Sequence, residues 1–170
     1  MKSIMLLIII IALSGCSSKQ ELDTFKNIDC SYYDGLYRSI KVFEDGKTLI
    51  WYNFNFQNRT EYYSFTIDKI DLDRLNKMSN ILRTTKLDSI YMPDSCDRCR
   101  SFSLIINFRD KTVFSSYKGD LNEKKLYPLF QLVTYLDSLS SNSRNNVDSI
   151  FSFKSKTRLI LPPPPPEKPN

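Results

Sequence analysis

Four cysteines and no histidine set the chemistry open to this chain of 170 residues. Without imidazole there is no Ser-His-Asp or Cys-His nucleophile, no His-ligated metal and no side chain that titrates near neutrality at its ordinary pKa. Carboxylates, Lys, Tyr and Cys remain. The tightest constellation is Cys96-Asp97-Arg98-Cys99, a spacing that suits a dithiol opening and closing a disulfide. That chemistry needs the first Cys at a helix N-terminus, which lowers its thiol pKa. Here a β-patterned run follows, which ranks a thiol oxidoreductase using Cys96 and Cys99 below a structural role for these residues. Three thiols without His also make a poor zinc site. Asp71 with Asp73, and Asp94 with Asp97, are spaced as carboxylate couples, but the first pair falls at a helix start and the second in a loop, where capping and solvation account for them. Gly15, Gly35, Gly46 and Gly119 are too scattered for a P-loop or a dinucleotide fingerprint. No catalytic residue, metal site or cofactor is expected.

Cys16 belongs to a different pattern. Lys2 precedes an apolar run over residues 4–13, which fits a secretory signal and is too short to cross a bilayer of ~30 Å. Leu13-Ser14-Gly15-Cys16, which closes that run, resembles the lipobox of bacterial lipoproteins. The resemblance implies cleavage before Cys16 and lipid on its thiol and new amino group, each buried CH₂ adding roughly 0.8 kcal/mol of membrane affinity. Residues 1–15 are then a lipoprotein signal peptide and residues 16–27 a lipidated N-terminus and tether. The implied place is the cell envelope, with the outer membrane favoured because Ser17 follows the Cys, and the folded part lies in the periplasm or at the cell surface. The net charge of +5 could suit nucleic acid, but no basic run is longer than Lys124-Lys125 and export removes that partner. The expected partners are the membrane, through the anchor, and a protein or glycan of the envelope.

Export also places Cys30, Cys96 and Cys99 where disulfides form readily. A Cys96–Cys99 link contributes roughly 2 kcal/mol by loop-closure entropy, whereas Cys30 joined to either closes a loop near 70 residues and contributes roughly 4.4. The expectation is Cys30 bridged to Cys96 or Cys99.

The elements around these residues are legible as alternation and helical spacing. Residues 36–44 and 47–57 alternate on either side of Asp45-Gly46, a hairpin signal, and 60–67 continues the meander with Tyr63, Phe65 and Ile67 on one face. Leu72, Leu75, Met78 and Leu82 then recur at helical spacing, predicting a helix over 71–84 with Asp71 as N-cap. Phe102, Leu104, Ile106 and Phe108 return to period two and pair across a turn with 112–117. Leu129, Phe130, Val133 and Leu136 predict a second helix with Pro128 in its first turn. The fold class is α+β: an antiparallel sheet of about five strands in the order β-β-β-α-β-β-α, both helices on one face, over residues 28–140. Residues 141–170 read as a Ser/Asn linker and a proline-rich tail, in which residues 150–161 are an extra strand or unstructured and Pro162 to Pro166 form polyproline II. If Ile50, Tyr52, Phe54 and Phe56 face the helices, Leu49, Trp51, Asn53, Asn55 and Gln57 face away, joined by Tyr62. Rings beside amides suit a sugar, so Trp51, Asn53, Asn55 and Tyr62 are a candidate ligand face.

Cys30-Ser31-Tyr32, the Asp45-Gly46 hairpin, the helix after Ile67 and the strand pair over 102–117 together resemble a family of small envelope lipoprotein domains of Gram-negative bacteria. Asp-Ser-Ile at 88–90 and 148–150 and Asp-Ser-Leu at 137–139 resemble acceptors of general O-glycosylation in such bacteria. The family transfers no catalytic residue. What it implies is an envelope lipoprotein and no particular role; the role expected of it is a non-catalytic binding or scaffold module, with an immunity-type lipoprotein that occludes an envelope-attacking toxin as the alternative. The anchor has a direct test: metabolically supplied palmitate should label the parent protein and not Cys16→Ser, and equal labelling would dismiss the lipobox.

Overall fold

The computed structural model describes residues 23–54, 59–92, 100–119, 124–140, 145–147 and 150–158. Four strands come first: β1 (Asn27–Tyr33), β2 (Tyr37–Phe43), β3 (Lys47–Phe54) and β4 (Arg59–Thr66). Helix α1 (Lys69–Thr84) follows, then β5 (Ile90–Tyr91), the hairpin of β6 (Arg100–Asn107) and β7 (Thr112–Gly119), helix α2 (Tyr127–Leu139) and β8 (Asn145–Asn146). They build one sheet in the order β5-β7-β6-β1-β2-β3-β4-β8. The class is α+β.

The sheet departs from the expected five antiparallel strands. It has six strands of seven or eight residues with a two-residue strand at each edge, and β5 runs parallel to β7, so it is mixed. Two-residue strands carry no period to detect. The other difference is β1, which takes the middle of the sheet by pairing antiparallel with both β2 and β6. Its Asn27, Asp29 and Ser31 are types that favour turns and caps, which hides a strand in a pattern-based reading. In place the alternation is complete. Ile28, Cys30 and Tyr32 face the helices, Asp29 and Ser31 face away, and all five are buried.

The Asp45-Gly46 hairpin forms as expected: Gly46 takes a positive φ of 84° while its N–H donates to the Phe43 carbonyl at 2.9 Å. Helix α1 starts two residues before the expected bound. Its N-cap is Asp68, whose carboxylate accepts from the Asp71 N–H at 2.8 Å. Asp71 instead sits in the first turn, where its charge meets the positive end of the helix dipole and its carboxylate accepts from the Tyr135 hydroxyl of α2. Both helices lie on one face of the sheet, as the apolar spacing required. Leu75 and Leu82 of α1 and Leu129, Leu132 and Leu136 of α2 close over Ile28, Ile40, Ile50, Leu104 and Ile106.

Cys30 lies at the centre of this core, level with Ile40 of β2 and Leu104 of β6, and it is a free thiol. The expected bridge from it is absent because the side chain points under the helices, away from any exposed loop. Cys96 and Cys99 lie outside the described residues. Burial, reinforced by Asp29 and Asp137, pushes the Cys30 thiol well above its ordinary pKa, so it is a packing group and not a nucleophile.

The opposite face is covered by the chain's own C-terminal part. Val147 donates its N–H to the Tyr62 carbonyl at 3.0 Å, and residues 150–158 cross the sheet and end in a 3₁₀ turn at Ser155–Arg158. Phe153 packs on Leu49 and Trp51 to form a second apolar cluster. The packed unit therefore runs past residue 140. Trp51 is the single tryptophan, so its emission reports this cover. Deleting residues 150–170 should shift that emission to the red, and Phe153→Ala should lower stability by about 3 kcal/mol in urea titration. Unchanged emission and stability would mean that the segment lies on the sheet without packing.

Candidate binding site

Two places on the molecule could meet a ligand, and the first is the face singled out from the sequence. On the side away from the helices the strand register lines up a row that crosses the sheet: Tyr62, Trp51, Ser39, Ser31, Ser103 and Ser116, on β4, β3, β2, β1, β6 and β7. The four serines are all buried. Their small side chains leave a trough, and the C-terminal segment lies close to the strands along it. At the aromatic end Trp51 is 4% exposed, with the Lys156 ammonium 3.7 Å from its ring centroid, while Tyr62 meets Phe151 edge-on at 5.9 Å. Asn53 and Tyr62 are half-buried, and Asn55 lies outside the described residues. The expected open platform is thus occupied at Trp51 by the protein's own Phe153 and Lys156. The physical reason is plain: Leu49 and Trp51 beside small neighbours are an apolar surface that any tethered Phe will cover.

Holding this segment down is a carboxylate inside the sheet. Asp29, 1% exposed, accepts from the Lys154 N–H at 2.7 Å and from the Ser155 hydroxyl, with the Lys41 ammonium 4.0 Å away. Ser155 Oγ also lies 2.7 Å from Ser31 Oγ, which lies 2.5 Å from Ser39 Oγ. Each hydroxyl has one proton and an ionised carboxylate only accepts, so the direction is fixed: Ser39 donates to Ser31, Ser31 to Ser155, and Ser155 to Asp29. Burial nevertheless raises the Asp29 pKa, against the lowering effect of Ser155, Lys154 and Lys41.

The second place is a cleft on the helix side, at the end of the sheet where β1 turns into β2. The Arg38 guanidinium lies over the Tyr32 ring, 5.1 Å from its centroid, and is tied on one side to Asp34 and on the other to Asp137 of α2, with Nη1 3.0 Å from Oδ1. Phe102, Phe130 and Val133 form the apolar wall, and Arg100 and Thr134 stand exposed at the rim. Three polar atoms here are buried without a hydrogen bond among the described residues: Tyr32 OH, Arg38 Nε, and Asp137 Oδ1, whose ion pair with Arg38 is too poorly aligned to count as one. Ser101 Oγ is orphaned nearby, but by strand parity Ser101 faces the other side of the sheet, beside Tyr33. Elsewhere among the described residues such an atom occurs only at Ser79. Burial pushes the Tyr32 phenol well above its ordinary pKa, so it serves as a neutral donor and acceptor.

No protein-family model and no curated protein sequence matches the chain. The cleft draws its residues from β1, β2, β6 and α2 and has no spacing signature; the one available signal was Arg38, a charge at an inward-facing position of an alternating strand. The remaining sequence candidates scatter. Ser89 and Ser138 of the glycosylation-like tripeptides are exposed, and Ser149 lies outside the described residues, as do Asp94 and Asp97. Asp71 is engaged by Tyr135, and Asp73 is exposed.

Asp29 has a measurable signature. A carboxyl whose folded pKa is raised contributes stability that is fully present below its unfolded pKa and is lost as pH rises through the folded value. Asn at this position can accept from Lys154 and donate to Ser155, which reverses the hydroxyl chain so that Ser155 donates to Ser31 and Ser31 to Ser39. Relative to Asp29→Asn, the wild type should therefore lose stability as pH rises from the ordinary carboxylate range toward neutrality. A difference between the two that does not vary with pH would contradict the buried carboxylate.

Proposed function

We propose that the chain is a lipoprotein anchored in the cell envelope through Cys16, with a non-catalytic binding module as its folded part and the cleft of Tyr32, Arg38 and Asp137 as its ligand site. The observation that carries the reading is the gathering beside one cleft of two buried polar atoms without a partner, Tyr32 OH and Arg38 Nε, and of Asp137 Oδ1, which has its ion pair with Arg38 and no hydrogen bond. Each such atom costs roughly 1–3 kcal/mol if nothing meets it, so a site that keeps several together is poised to recover that loss from an incoming polar molecule. An apolar wall beside a few convergent polar groups is also the common composition of small-molecule sites.

The placement of the chain supports the same reading. Asp23 lies beside Arg83 and near Asp110, at the end of the sheet where β1 begins, and its carbonyl accepts from Asn80 at 2.7 Å. The cleft lies where β1 finishes, about 20 Å along the strand. An anchor ahead of residue 23 then holds the cleft away from the lipid surface and open to the compartment. Nothing in the proposed role consumes a ligand.

The test is a panel of small polar metabolites against the full chain in detergent. At least one compound should raise the unfolding midpoint of the wild type and not of Thr134→Trp, which fills the cleft from an exposed rim position. The bound compound should be recovered unchanged by mass spectrometry. A panel with no such compound, or a ligand that returns chemically altered, overturns the reading.

A further inference from the structure

The outer side of the helix layer carries a groove of about 570 Å³, lined by Arg74 and Met78 of α1 and by Tyr127, Gln131, Thr134 and Tyr135 of α2. Tyr127 is 61% exposed, which leaves most of a large ring in water at the start of α2, while Tyr135 and Met78 are half-buried. The Arg74 guanidinium lies over the Tyr135 ring, 4.3 Å from its centroid. Along α2, between the two rings, the exposed Gln131 amide and Thr134 hydroxyl are free to donate outward. Rings with donors between them suit a strand of chain that offers apolar rings and carbonyl acceptors and has no N–H of its own, which describes polyproline II. The chain contains such a run in Pro162 to Pro166, outside the described residues. At 3.1 Å per residue five prolines extend about 15 Å. The groove, from Tyr127 to Ser138, measures about 16 Å along α2 at 1.5 Å per residue. Glu167 follows the last proline, and Arg74 stands at the Tyr135 end of the groove to meet its charge.

The proline run of the same copy cannot reach this groove. The described chain ends in the 3₁₀ turn Ser155–Arg158, which packs on β1 and β6 on the face away from the helices. Residues 159–161 span at most about 11 Å. The sheet and the helix layer that separate the turn from the groove are each about 10 Å thick. We propose that the groove between α1 and α2 receives Pro162–Pro166 of a second copy of this chain, laid along α2 with Glu167 at Arg74. Each copy then offers one tail and one groove, and copies join through them.

The test follows the sedimentation of the full chain in detergent and the anisotropy of a labelled peptide of residues 161–170 titrated with a chain that lacks residues 162–170. The mass of the wild type should rise with concentration beyond one copy, and the shortened chain should stay a single copy throughout. The peptide should bind saturably, and lose binding when its five prolines are replaced by glycine. Tyr127→Ala should weaken it about tenfold at an unchanged unfolding midpoint, since the ring is exposed. Gln131→Ala, on the same exposed face, should weaken it as well. Peptide binding untouched by both substitutions overturns the groove. Association that persists without residues 162–170, or a wild type that stays a single copy while the peptide binds, overturns the second copy as occupant. A peptide that does not bind overturns the polyproline contact, whatever the mass of the wild type.

Discussion

A carboxylate in the middle strand of a sheet must receive donors from outside its own ladder, and Asp29 receives them from residues 125 and 126 positions later in the chain. Strand pairing uses up the backbone of β1 on both sides, so the side chain has only the space above the sheet to look to. Lys154 and Ser155 fill that space. The C-terminal segment thus both buries Asp29 and bonds it: without that segment the carboxylate loses the Lys154 and Ser155 donors and keeps only Lys41 in range.

That requirement explains the composition of the covered face. Serines at Ser31, Ser39, Ser103 and Ser116 keep the trough shallow enough for a backbone to approach, and their hydroxyls bond to one another or to Ser155 instead of facing hydrocarbon. Trp51 and Leu49 supply the apolar grip at one end, where Phe153 sits. The two faces are thereby closed by different means, one by aliphatic side chains from two helices and the other by hydrogen bonds and a few rings. The helix side is tight except at its end, where Arg38 replaces the aliphatic residue that the alternation of β2 would otherwise place over Tyr32. The cleft is a consequence of that one substitution of charge for hydrocarbon.

The parts of this arrangement that were legible in the sequence are those governed by local period. Ile40 and Val42, then Ile50 and Tyr52, alternate cleanly, and the parity they set placed Trp51 and Tyr62 on the far face. Leu75 and Leu82, with Leu129 and Leu136, fixed both helices, because apolar residues recurring three and four positions apart share one face in a helix and scatter over both faces of a strand. β1 escaped because Asp29 and Ser31 are strand residues only by virtue of partners far away, and Cys30, read as a bridge, is a core side chain. The cover over Trp51 escaped for the same reason, since its bonds span more than a hundred residues. The cleft has no motif at all: Tyr32, Arg38 and Asp137 meet only after the sheet and α2 have been assembled.

The central position of β1 also decides how the protein answers a pull. The chain ahead of Asn27 enters directly into the middle strand, which is bonded along its full length to β2 on one side and β6 on the other. Tension applied from that end runs along the strand axis, across the hydrogen bonds rather than in line with them. Two ladders of seven residue pairs are then loaded together in shear, and neither can be opened one bond at a time as an edge strand would be. Once the contacts of Asp23 and Phe25 with α1 give way, the load falls on a strand that is paired along its whole length on both sides.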